Sequence, residues 1–499
     1  MSGFRLSRRN FVRTAGKLAG GSLLGHTVGC KSPPMSQPKE AISETGGPAD
    51  YTLTIAVKPV ELAPNRIIST ATYNGQFPGP LLRLKEGQPV TIDIHNQTDT
   101  PEQLHWHGQF LSTDVDGAAE EGTPFIPAHG SRRIRFAPKP SGYRFYHTHV
   151  RAGANLNAGQ YTGLVGPVYI EPKNNPGNYD REVFLMLKEF EPSLSRGGDM
   201  AMDFLSPATV KELKDSGEKA MKASLAKGMP HGFEVGYGSF TINGRMLGSG
   251  EPIRVKQGER VLFHVLNGSA TEIRSLVLPG HTFSVVAMDG NPIPKPVIMP
   301  GLWLGTGERV SAIVEMNHPG IWILGDTAND DRQHGMGTVV EYADQKGKPQ
   351  WVAPKPFQWN YAQFGNAGAA VARPDQVFEM IFAKQNAAAD GFNRWTINGV
   401  AFAEDHMQPM FRVKAGQRYR LRMRNVSDDI HPIHLHRHSF ELTRVAGQLT
   451  SGVIKDVVML GGYQEMEVDF VADNPGLTLF HCHQQLHMDF GFMALFEYV

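Results

Sequence analysis

Leu84-Lys85-Glu86-Gly87 runs through Gln88-Pro89 into Val90-Thr91-Ile92-Asp93-Ile94-His95-Asn96, a glycine turn followed by strict apolar–polar alternation. Successive side chains on a strand point to opposite faces, so this alternation reads as a half-buried strand. The chain writes the pattern three times. Tyr73-Asn74-Gly75 precedes the first copy. Ile242-Asn243-Gly244 and Val255-Lys256-Gln257-Gly258 precede Val261 to Asn267, and Ile397-Asn398-Gly399 and Val413-Lys414-Ala415-Gly416 precede Tyr419 to Asn425. The far ends repeat as well, in Gly142-Tyr143-Arg144-Phe145-Tyr146-His147, Gly320 to Gly325 and Gly476-Leu477-Thr478-Leu479-Phe480-His481.

An internal repeat built of short strands predicts an all-β protein of three similar β-sandwiches in tandem. The domains are expected at 49–174, 175–345 and 375–499, with 346–374 as a linker. A Lys-, Glu- and Ala-rich stretch at about 207–227 predicts a helical insert in the second domain.

Residues 1–48 read as a targeting segment and linker. Ser7-Arg8-Arg9-Asn10-Phe11-Val12-Arg13 resembles a twin-arginine export signal, which predicts delivery to the periplasm. Cys30, at the end of the weakly apolar stretch, is either a lipidation site or is discarded with the signal. It is the one feature that suggests contact with a membrane. No stretch of 18 apolar residues suggests a spanning helix. With 49 basic and 49 acidic residues and no basic block, a nucleic-acid partner has no electrostatic support. A monomer is expected.

The histidines carry the chemistry. Ten of the 20 lie in four clusters: His105-Trp106-His107, His147-Thr148-His149, His431-Pro432-Ile433-His434-Leu435-His436, and His481-Cys482-His483 with His487. A single pair could be a buried, hydrogen-bonded feature. Four clusters at repeat-equivalent places argue for metal. Each His-x-His presents two imidazoles on one strand face. In His481-Cys482-His483 the thiolate faces the other way, so Cys482 belongs to a different site from its neighbours. His431 can face the same side as Cys482, and His487 can fold back to it. That makes one His2Cys set, the donor set of a blue-copper centre. The eight remaining imidazoles suffice for a three-metal cluster.

Domain two has Gly325-Asp326-Thr327 where domain three has His481-Cys482-His483, and domain one has Thr148 at the cysteine position. The eight-histidine group must therefore be shared by domains one and three, four from each. Domain two is expected to be a copper-free spacer.

These four motifs resemble the multicopper oxidase family of laccases, ascorbate oxidases and bacterial copper-efflux oxidases, over essentially Tyr51 to Val499. The resemblance implies cupredoxin-like Greek-key domains and four coppers per chain. His431, Cys482 and His487 would hold the type 1 copper and His105 and His434 the type 2 copper. His107, His147, His149, His436, His481 and His483 would hold the type 3 pair. It further implies electron entry at an exposed edge of His487, transfer through Cys482 to its neighbours, and reduction of dioxygen to water. The expected donors are phenols and aromatic amines; cuprous ion is the alternative, although Met200, Met202, Met221 and Met229 are scattered rather than clustered.

Asp116, in Val115-Asp116-Gly117, matches the family's acidic residue and is a candidate general acid, although Asp-Gly is also an ordinary turn pair. Arg437 stands where the family usually has Gly. Met488 stands where several bacterial members have a proton-relaying carboxylate. The resemblance places the axial residue ten positions after Cys482, at Phe492, which cannot ligate, and so implies a high-potential type 1 site. Met493, one residue on, would face the opposite way.

Overall fold

The structure is a computed structural model that describes residues 47–173, 177–195, 232–368, 370–389, 391–403 and 409–499. The export motif, Cys30, the four scattered methionines and the segment expected to be helical lie outside the described residues. Ala49–Val499 forms one compact unit.

Within that unit the strands group as the repeat predicts. Residues 51–171 form two four-stranded sheets. Leu53, Ile55 and Ile92 of one sheet meet Leu84, Trp106, Tyr146 and Val168 of the other in a shared core, so the pair is a sandwich. Residues 181–342 form sheets of six, three and two strands. Residues 376–498 form a seven-stranded and a five-stranded sheet.

The repeated segment plays the same part each time. Val90–Asn96, Arg260–Asn267 and Arg418–Asn425 each run parallel to the long first strand of their own domain and antiparallel to a later one. The Asn-Gly pairs that precede them are turns in which both residues take positive φ, from 51° to 80°. Each segment closes on a buried asparagine that caps the following turn. Asn96 Oδ1 accepts from the amide of Thr98, Asn267 Oδ1 from Ser269 and Asn425 Oδ1 from Ser427. Their Nδ2 groups donate to the carbonyls of Thr100, Glu272 and Asp429.

The first and third copies bury alternate residues, whereas Val261 to Asn267 is buried on both faces. The cause is position. His264 stacks on Phe184 and packs against Tyr143 and Tyr169 of the first domain.

Candidate metal centre

Each half of the eight-histidine group hangs on one antiparallel strand pair. Leu104–His107 runs against Gly142–Thr148 with His105 opposite His147. His431–Leu435 runs against Thr478–Cys482 with His434 opposite His481. The two halves meet across the first and third domains: the His107 and His434 rings stack at 3.8 Å, and those of His105 and His436 at 4.0 Å. The donor atoms fall into three trios, His105/His107/His434, His107/His147/His483 and His149/His436/His481, each within 4.8 Å.

Ile433 is the residue opposite Cys482, so the thiol lies on the other face of that sheet. There its Sγ is 3.7 Å from His431 Nδ1 and 3.4 Å from His487 Nδ1, and the two nitrogens are 3.0 Å apart. The short helix Gln485–Asp489 performs the return that brings His487 back.

These residues fit copper. The Nε2 atoms of His105, His107, His147, His149, His434 and His483 are buried with no hydrogen-bond partner among the described residues. Buried polar atoms are rarely left so. The Nδ1 atoms of His105, His147, His434 and His481 donate outward to the carbonyls of Asp116, Thr148, Asp456 and Cys482. A ring held from outside by its far nitrogen, with the near nitrogen turned inward, is how a metal-ligating histidine is oriented. Burial holds His107, His147, His149, His434, His436 and His483 well below the usual histidine range and His481 down at about 3, so they are neutral. Two imidazoles and one thiol, with no second cysteine in reach among the described residues, suit blue copper rather than structural zinc.

Asp116 ends the short helix Thr113–Asp116 beneath the histidines. Its Oδ2 is 2.9 Å from His436 Nδ1 and 3.1 Å from His105 Nδ1. Gly117 makes this approach possible: at φ 104°, any Cβ there would lie 2.0 Å from the Leu104 carbonyl. Burial works to raise the Asp116 carboxyl, but His105 and Arg437 outweigh it and hold the group below the usual range.

Sequence reasoning missed Glu121. It is fully buried, its Oε1 accepts from the Leu479 amide at 2.6 Å, and the same oxygen lies 3.6 Å from His436 Nδ1. Burial first, and the Asp116 charge next, push it well above the usual range. Its only trace in the sequence is a second acid shortly after Asp116. Arg437 takes the left-handed backbone that glycine would favour, and its guanidinium binds the carbonyls of Leu111, Leu477, Asn474 and Pro475. It braces the loop and ties the first domain to the third.

The exposed edge expected of His487 is absent. The residue is 2 % exposed, and the buried indole of Trp395 lies over its ring. Trp395 was missed because its strand, Phe392–Ile397, is remote in sequence from every histidine motif. The ring of Phe492, the residue expected to be axial, lies 4.6 Å from that of His431, in the same core cluster as Cys482. Met493 and Met488 pack on the opposite side with Leu479 and Leu495. In the second domain Asp326 is buried and bound by Ser275 through both amide and hydroxyl, so a hydrogen-bonded cluster occupies the repeat-equivalent place.

Models of the multicopper oxidase family match residues 55–175, 207–343 and 373–499, and the chain belongs to that family: it is a copper oxidoreductase. Among its relatives, the multicopper oxidase MmcO of Mycobacterium tuberculosis is 27 % identical over 99 % of this chain and 97 % of its own length. A copper resistance protein A homologue of Pseudomonas syringae is 29 % identical over 71 % of this chain and 61 % of that protein. The solved laccase of Botrytis aclada shares the fold, with a TM-score of 0.68 at 20 % identity over 89 % of this chain and 87 % of that one.

Proposed function

We propose that the protein couples one-electron oxidation of phenols or aromatic amines to four-electron reduction of dioxygen to water. The observation that carries this is the pairing of a His431–Cys482–His487 set with an eight-histidine group on the two faces of one sheet. Four coppers held by these residues, one by the cysteine set and three by the eight histidines, would supply the redox chemistry. Cys482 is joined by peptide bonds to His481 and His483, so one strand end serves both sites. Asp116 holds a proton at His436 Nδ1 or His105 Nδ1. Glu121 is the neutral carboxyl beside it, poised to supply protons, which dioxygen reduction consumes. The copper resistance relative supports cuprous ion as the alternative donor. Export to the periplasm rests on the Ser7–Arg13 motif.

The test is copper quantitation followed by oxygen uptake with a phenol and, separately, with cuprous ion. Four coppers per chain with faster phenol turnover is expected. Absence of copper would sink the oxidase reading, and faster cuprous turnover would reverse the choice of donor.

A further inference from the structure

The second domain contributes no member to the histidine trios, yet it reaches them. Arg309, at the start of the strand Arg309–Glu315, is completely buried. Its guanidinium grips Asp456 of the third domain with two prongs, Nη1 to Oδ1 and Nη2 to Oδ2, both 2.6 Å. Asp456 in turn touches two members of the histidine group. Its carbonyl accepts from His434 Nδ1 at 2.6 Å, and its Oδ1 lies 3.5 Å from His107 Nδ1. Arg309 Nη1 is itself 3.5 Å from that same His107 nitrogen.

Asp289, also of the second domain, holds Asp456 from behind: its Oδ2 accepts from the amides of Asp456 and Val457, and its Oδ1 from the amide of Arg309. Arg144 of the first domain adds a second cation, 3.2 Å from Asp456 Oδ2. Gly307 lies against the His483 ring, which a Cβ would meet at 2.8 Å. Beyond these, Lys455 pairs with Asp289 and Glu308 at 3.0 Å each and has no such contact with a histidine among the described residues.

We propose that Arg309 is the positioning residue of the eight-histidine group: through its forked pair with Asp456 it sets the ring orientations of His107 and His434. The assignment rests on the copper-oxidase reading above. The physics of buried ion pairs favours it over simple cohesion. Well-packed apolar side chains would join three domains about as well as buried charges do, because desolvation offsets most of the attraction. A planar fork supplies direction instead. Arg presents two parallel donors that match a carboxylate in one orientation only. Here that fixes Asp456, whose carbonyl faces the His434 ring and whose carboxylate faces the His107 ring stacked on it.

The experiment compares the copper-loaded wild type with Arg309→Met, Arg309→Lys and Lys455→Met. It reads copper per chain, the ratio of type 2 electron paramagnetic resonance signal to type 1 blue absorbance, and the melting temperature. Lys455→Met is the matched loss of one buried cation from the same network. Arg309→Met should keep its blue colour and lose more than half of its type 2 signal. Arg309→Lys, which keeps the charge and loses the fork, should fold and show a shifted type 2 hyperfine pattern. Lys455→Met should melt lower with the wild-type ratio. Two outcomes overturn the proposal: an unshifted type 2 spectrum in Arg309→Lys, or a Lys455→Met variant that loses type 2 copper as fully as Arg309→Met. A wild type that binds no copper would instead overturn the functional reading on which the proposal stands.

Discussion

The indole of Trp395 lies 4.1 Å from the imidazole of His487, centroid to centroid, and its Nε1–H donates to Asp429 Oδ2 at 2.7 Å. Asp429 is held in turn by Lys384 at 2.8 Å. The tryptophan, itself buried, therefore covers the His487 ring.

Trp395→Phe keeps an aromatic cover and leaves a buried Asp429 oxygen short of one partner. The expected cost is about 1–3 kcal/mol of stability, seen as a lower melting temperature. The blue colour should persist, while anaerobic bleaching by a phenol slows. Bleaching rates equal to wild type for every donor tried would remove Trp395 from the path of electron entry.

Cys482→Ser should abolish the blue absorbance and donor oxidation while the eight-histidine group keeps its copper, because the two sets lie on opposite faces of the sheet. Optical spectra and metal content check this together. A serine variant that stayed blue would refute the ligand assignment.

Asp116→Asn preserves shape and removes the charge that His436 and His105 share. Positioned acids contribute about 10²–10⁴-fold, and with Glu121 still in place a loss near the lower end is expected in dioxygen reduction. The loss should be worst at high pH, with reduction by substrate unchanged. Stopped-flow reoxidation of the reduced enzyme measures it, and a flat pH profile identical to wild type would return Asp116 to a turn role.

Glu102 gives a pH dependence of stability. It is buried, accepts from the Thr148 hydroxyl at 2.5 Å and the Gln103 amide at 2.9 Å, and burial pushes its carboxyl up from 4.5 to about 7 despite those bonds. The unfolded carboxyl ionises first, so between 4.5 and about 7 the folded state holds the extra proton and stability falls as pH rises. The full effect is at most about 3 kcal/mol. Glu102→Gln should flatten that part of the melting-temperature profile. A wild-type slope in the variant would show that another group causes the decline.

Phe492→Met should lower the type 1 potential by adding an axial donor, whereas Met493→Leu should barely move it. Redox titration of the blue band decides. The reverse pattern would make Met493 the axial residue, against its packing beside Leu479 and Leu495.

The three sandwiches and the grouping of histidines were legible because strand alternation, turn glycines and His-x-His spacing are local signals. The same alternation separated Cys482 from its neighbours, and Phe492 from Met493, before any coordinates. What escaped was whatever depends on contacts between distant segments. Trp395 over His487, Glu121 beside Asp116 and Arg309 on Asp456 involve single residues without a motif, brought in by other strands or domains. Arg437 was visible as a departure from the family, but its brace of carbonyls was not.

The four-and-four division of the histidines ties metal capture to the end of folding. His105 and His107 are made long before His481 and His483, and each trio of donor atoms draws on both outer domains. No nascent fragment that stops short of His483 holds all three trios, so the eight-histidine group is complete only once the third domain has been made. Binding energy delivered only to the closed form stabilises the docking of the outer domains rather than either sandwich alone. A copper cluster held by these trios would act as a clasp between the first domain and the third.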